Sequence, residues 1–417
     1  MLRLLAWLAG TLLLLVLAAG GLLILTLEDQ PLVSRPATIT PQSIAQARLL
    51  LLTNDPRRLQ PGDARRAVIA ASLIDEAVNY AATRFLRGRA ALKLSGERQA
   101  ELLVSLQPSW LVGIGHINVV ATLHDADGLP AITALRLGPL PLPAAVAEPL
   151  LGGLLTLAGY GREWQQLHQA IRQTRFEPRR QRLIVSYVWQ PALLEQARAL
   201  AATSADKALI QAAHVNLTAL LAEHAPGSPM ALPEVLGPML KAERSTDGQR
   251  AALLVLAAFL AERNLTALLP EAADWPRPPP VKLTLGGRYD SAQHFVISAA
   301  LAAWAGEPLA DAIGTYKEMA DARHGYGFSF ADLAADRAGT AFGELLIGRS
   351  PRLEALLTVE FSDADLLPAL DGLPEYLRQR EFRQRFGGPG QPAYEEQLVE
   401  IDRRLMALPL YRREGAT

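Results

Sequence analysis

Asp290 and His294 stand four apart in the sequence, Glu318 and Asp321 three apart, and Asp332 and Asp336 four apart. On helices, each spacing places its pair on one face. One imidazole meeting several carboxylates is sufficient for two chemistries. His294, Glu318, Asp321, Asp332 and Asp336 would make an oxygen-rich site for a divalent metal. Alternatively, His294, Glu318 and Asp321 would be catalytic, as a carboxylate–imidazole acid/base set. Each pair also has a plain structural role available to it. Ser329 followed by Asp332 has the spacing of a helix-capping box, and acids in a first turn suit the helix dipole. Asp290 could cap the helix that carries His294. Lys317, Glu318 and Asp321 could form a solvated charged face.

These pairs must be carried by three helices. The first starts near Ser291, the second runs from about Leu309 to Arg323, and the third follows a glycine-containing loop at Gly325 to Gly327. Gly339 and Gly343, four apart in an alanine-rich stretch, point to close contact between helices. Upstream, the apolar residues between Pro61 and Phe85 keep helical spacing, with Asp63 as a cap. Ala91 to Leu106, Ile117 to Leu123, Ile132 to Leu137 and Leu183 to Trp189 approach alternation, with turns such as Asp127-Gly128 between them. That pattern predicts an antiparallel sheet half covered by helices. From Pro191 to Leu269 the spacing is helical again, in Leu193 to Ala202, Lys207 to His224 and Gly248 to Asn264. The proline run from Trp275 to Pro280 reads as a stiff connector.

The expected fold class is α+β: an N-terminal transmembrane helix, an antiparallel sheet with helices, then a mainly α-helical C-terminal half. Its expected divisions are an anchor at 1–30, a mixed α+β domain at 31–190, a helical region at 191–275, a helical module at 281–350 and a helical tail at 351–417. The anchor is read from Leu4 to Leu27, which carry no charge and are dominated by Leu, Ala and Gly. A run of that length crosses a hydrocarbon core of about 30 Å. Arg3 before it and Glu28 and Asp29 after it orient the bulk of the chain outward, with the proline-rich segment 31–41 as a tether. A signal peptide cleaved near Ala18, Ala19 and Gly20 is the rival reading. Either gives the expected location, the bacterial inner membrane with most of the chain in the periplasm.

Composition narrows the function classes. Half of the 417 residues are hydrophobic and the net charge is −1, so nucleic acid is not an expected partner. With no cysteine, thiolate metal sites, disulfides and a cysteine nucleophile are excluded. The sequence has no His-Glu-x-x-His, no phosphate-binding glycine loop, no Gly-x-Ser-x-Gly elbow and no dinucleotide fingerprint.

Asp290, Gln293, His294, Phe295, Ser298, Lys317, Glu318, Asp321, Gly327, Ser329, Asp332, Asp336 and Gly339 form an ordered set. In it the chain resembles the YfiM-like family of bacterial periplasmic lipoproteins, over residues 288–344 only. The chain departs from that family in lacking a lipidated cysteine and in its large N-terminal region. The resemblance implies an envelope location and helices near a membrane, and it implies no reaction. Two functions are therefore expected. One is an envelope protein that binds a membrane, lipid or protein partner through its C-terminal helices. The other is a metal-dependent or acid/base hydrolase acting on an envelope substrate.

Overall fold

The computed structural model describes residues 25–412 apart from 56–57, 158, 160, 193–203, 264, 268 and 325–326. Contacts divide the chain into two units, residues 1–197 and 198–417.

The first unit is built from β1 (Leu27–Glu28), α1 (Pro41–Thr53), β2 (Ala64–Ala70), α2 (Ala71–Leu86), β3 (Gly88–Ser95), β4 (Gln99–Leu106), β5 (His116–His124), β6 (Ala131–Leu137), β7 (Leu140–Leu142), α3 (Ala144–Leu157), α4 (Gly161–Ala170), β8 (Ile171–Glu177) and β9 (Arg182–Val188). One sheet runs β3-β4-β5-β6-β7, with β1 added beside β5, and a second runs β2-β9-β8. All the pairings are antiparallel. Pro141 lies in the edge strand β7, where a missing N–H costs no ladder bond. Leu92, Ala100 and Phe176 form a small core between the layers.

Three expectations are corrected in this unit. The transmembrane helix expected over residues 4–27 is not part of the described fold. Among the described residues no helix is long and apolar enough to cross a membrane. The far end of the expected span is strand: Leu27 pairs with Ile117 of β5, so its backbone is satisfied by a sheet rather than by a helical turn. Residues 4–24 of that run lie outside the described residues. The segment 31–41, expected as a tether, is fastened to the sheet. Val33 is buried and its N–H donates to Ser105 Oγ, while Arg35 grips the Asp75 carboxylate. The helix expected from Pro61 is a strand followed by a helix. Residues 64–70 pair along their length with β9, and the small Ala67 faces inward while Val68 is half exposed. Helical spacing of the larger apolar residues was therefore a poor guide there.

The second unit comprises α5 (Ser204–Leu221), β10 (Pro229–Ala231), α6 (Leu232–Ala242), α7 (Thr246–Leu260), β11 (Lys282–Thr284), α8 (Tyr289–Ala305), α9 (Glu307–His324), α10 (Phe330–Ile347), α11 (Pro351–Thr358), α12 (Asp363–Leu366), α13 (Gln379–Phe386) and α14 (Pro392–Ala407). The helix expected at Leu193 to Ala202 lies outside the described residues. One core joins the segments on both sides of the proline connector: Leu217, Leu236 and Leu256 are buried with Phe295, Ala299 and Phe342.

Helices α8 and α10 pack backbone to backbone. A Cβ on Gly339 would lie 2.0 Å from the carbonyl oxygen of Phe295, and one on Gly343 would lie 2.3 Å from that of Ala299. Only glycine fits either place, as their spacing predicted. A second cluster joins the start of α10 to α13 and α14 through Phe328, Phe330, Phe382, Phe386 and Tyr394, with Phe328 and Phe382 stacked at 4.1 Å.

Candidate functional site

The site is assembled where α8, α9 and α10 meet. His294, in the second turn of α8, is only 6% exposed, and Glu318 of α9 only 1%. His294 Nδ1 lies 3.1 Å from Asp336 Oδ1, which also accepts from Ser298 Oγ at 2.7 Å. A carboxylate only accepts, so Nδ1 carries a proton, and Nε2, which can coordinate once it has lost its own, faces the other way. Nε2 lies 3.6 Å from Asp332 Oδ2 and 3.8 Å from Glu318 Oε1. The side chains of His294, Glu318 and Asp332 stand close enough together to hold a metal ion, each offering one donor atom within 4.8 Å of the others. Metal–ligand bonds of about 2.1 Å in a tetrahedral site put donor atoms roughly 3.4 Å apart, so a small contraction would close the set.

The surrounding groups fix these side chains. The Ser329 N–H donates to Glu318 Oε2 at 3.1 Å, while Ser329 Oγ accepts from the Asp332 N–H at 3.0 Å as the N-cap of α10. Asp332 thus begins its helix as the capping spacing predicted, and its carboxylate is still turned toward His294. Arg288 donates to Asp290 and to Glu375, each with paired contacts, and its Nη2 lies 3.6 Å from Asp332 Oδ1. Lys317 Nζ lies 3.1 Å from His294 Nε2, 3.4 Å from Glu318 Oε1 and 3.0 Å from Asp321 Oδ2. Gly314 leaves room for the Asp336 carboxylate, since a Cβ there would come within 2.8 Å of Oδ2.

Burial and charge pull against each other throughout. Burial works against the His294 imidazolium, yet the charge and hydrogen bond of Asp336, with Asp332 beyond, raise it to about 9. Glu318 is pushed up to about 7 by burial, against the pull of Lys317 and His294. Asp332 is raised for the same reason, desolvation outweighing His294. Lys317 is held above its usual range by Glu318 and Asp321 although burial works the other way.

The five residues singled out by spacing separate as follows. His294, Glu318, Asp332 and Asp336 converge. Asp321, proposed as a ligand and as a catalytic group, reaches the cluster through Lys317, and its side chain is 31% exposed. Asp290 does not cap α8, whose N-cap is Arg288 without a side-chain bond; it lies in the first turn and binds Arg288. Ser298 and Glu375 were not marked as site residues. Ser298 had a usable signal, four residues after His294 on the same face. Glu375 had none, being 87 residues from Arg288. Comparison with protein-family models, with curated proteins and with solved structures returns no match for this chain.

Proposed function

We propose that the helical unit binds a divalent cation at His294, Glu318 and Asp332 and is the seat of a hydrolytic activity on an envelope substrate. The observation that carries this reading is the convergence of one imidazole nitrogen and two carboxylate oxygens, from three helices, at one spot. Residues kept only for solubility or capping would spread over separate solvent faces. A cation held there supplies a water molecule acidified enough to attack at neutral pH. The chain's own residues do the rest. Asp336 and Ser298 keep the His294 proton on Nδ1, so that Nε2 can coordinate, as outer partners commonly do for a ligating histidine. Arg288 lies near Asp332 Oδ1 without bonding it, and Oδ2 faces the site. The Ser329 N–H holds Glu318 Oε2, which leaves Oε1 as the ligand atom. This reading is favoured over partner binding with purely structural polar residues, because Asp332 Oδ1 and Asp336 Oδ2 are buried there with no hydrogen-bond partner.

The test is metal analysis and calorimetric titration of the full chain with Zn²⁺ and Mn²⁺. About one equivalent should bind, and His294→Ala and Glu318→Ala should each abolish it. Absence of saturable binding in the unaltered protein, with both variants melting normally, would end the proposal.

A further inference from the structure

On another side of α10, away from the candidate cation ligands, a cavity of about 890 Å³ opens between α9, α10 and the start of α11 on one side and α14 on the other. None of the residues that converge on His294 lines it. Two polar groups in its wall are left over. Thr340 is only 4% exposed, and its Oγ1 makes no hydrogen bond. Arg352 Nε is buried and has no partner either. The neighbouring cations are already matched: Arg337 is bound to Asp402, and Arg403 to Glu400 at 2.7 Å. Among the described residues no ion pair is made by Arg352.

These leftovers have a definite complement. A guanidinium N–H can only donate, and a hydroxyl can donate beside it, so the missing group is an acceptor, and the unmatched charge makes it an anionic one. The rest of the wall mixes charge and apolar surface: the carboxylates of Asp311 and Glu344, each with a partner of its own, share it with an apolar stretch. Leu405 and Met406 line the cavity with the ring of Tyr411, whose hydroxyl is spent on the Leu366 carbonyl, and Val399 stands 66% exposed. Buried polar atoms in folded proteins are nearly always paired, so two unpaired ones facing a common space point to a ligand that pairs them. A cavity of this size falls in the range usual for small-molecule sites.

We infer that this cavity is a second ligand site, for a small molecule carrying a carboxylate or phosphate group on an apolar body, with the anion held by Arg352 and Thr340. The site is independent of the cation proposal and stands if that one fails. Calorimetric titration of the full chain with hexanoate and, separately, with inorganic phosphate tests it. Saturable binding of either probe is expected, weakened at least about tenfold by Arg352→Gln and by the nearly isosteric Thr340→Val. Binding of hexanoate alone would identify a carboxylate ligand, and binding of phosphate alone a phosphate ligand. If neither probe binds, or if Arg352→Gln binds as tightly as the unaltered protein, the inference is overturned. Thermal melts of both variants show whether they remain folded.

Discussion

At the scale of single residues, Lys317 is the group most at odds with a bound metal. Its ammonium contacts His294 Nε2 and Glu318 Oε1, two of the atoms a metal would use. Its stem is half exposed, and Asp321 one turn on offers a place to move to. Lys317 thus acts as a built-in competitor. Lys317→Gln should tighten Zn²⁺ or Mn²⁺ binding by roughly tenfold or more, on the scale of one lost charged hydrogen bond; unchanged or weaker affinity would show that the lysine takes no part in the balance. The acid/base balance of the cluster gives a second expectation. His294 has its folded value raised from 6.5 to about 9, so its contribution to stability is whole below pH 6.5 and is lost as pH rises toward 9. Glu318, raised from 4.5 to about 7, holds its proton more tightly when folded, so its contribution is lost between pH 4.5 and 7. Both slopes have the same sign. The chelator-treated protein should therefore lose stability from pH 5 to 9, by about 1–3 kcal/mol from each group. Glu318→Gln should flatten the lower half of that curve, and a melting temperature that rises over the interval would refute the assignment.

At the scale of elements, the close crossing of α8 and α10 brings His294 to Asp336. Gly339→Ala would drive a methyl group into the Phe295 carbonyl, 2.0 Å from its oxygen. The cost should be about 3 kcal/mol, read as a lower urea midpoint at constant slope. The His294–Asp336 bond should loosen with it, so cation affinity should fall although no ligand is altered. This crossing also shows what was legible beforehand. The two glycines announced close contact, and the spacings of three and four announced shared faces. Which acid would take which imidazole nitrogen depended on how three helices are rotated about their axes, and no periodicity states that. Strand β2 was missed for a related reason. Its partner β9 lies far along the chain, and its buried face is marked by alanine, too small to stand out against Val68 and Ile69.

At the scale of the whole helical unit, the site depends on the aromatic cluster below it. Phe328 exchanges backbone hydrogen bonds with Leu377 at 2.7 and 2.9 Å, which fixes the loop that delivers the Ser329 N–H to Glu318. The same downstream stretch supplies Glu375, which steadies Arg288. Phe382→Ala removes the ring stacked on Phe328 and should cost about 3–5 kcal/mol. It should also weaken cation binding from a distance, measurable by the same titration. Full affinity in a destabilised variant would show that the loop holds its shape without the rings. In the unit two carboxylates have an oxygen already committed: one of Glu318 is taken by the Ser329 amide, and one of Asp336 serves His294 and Ser298. Bidentate chelation by Glu318 is thereby opposed. Calcium, which seeks about six to eight oxygens, is poorly served by such a sparse donor set with a nitrogen in it, whereas zinc or manganese is not. Selectivity among ions would then follow from denticity rather than from charge, and calcium should leave the titration flat.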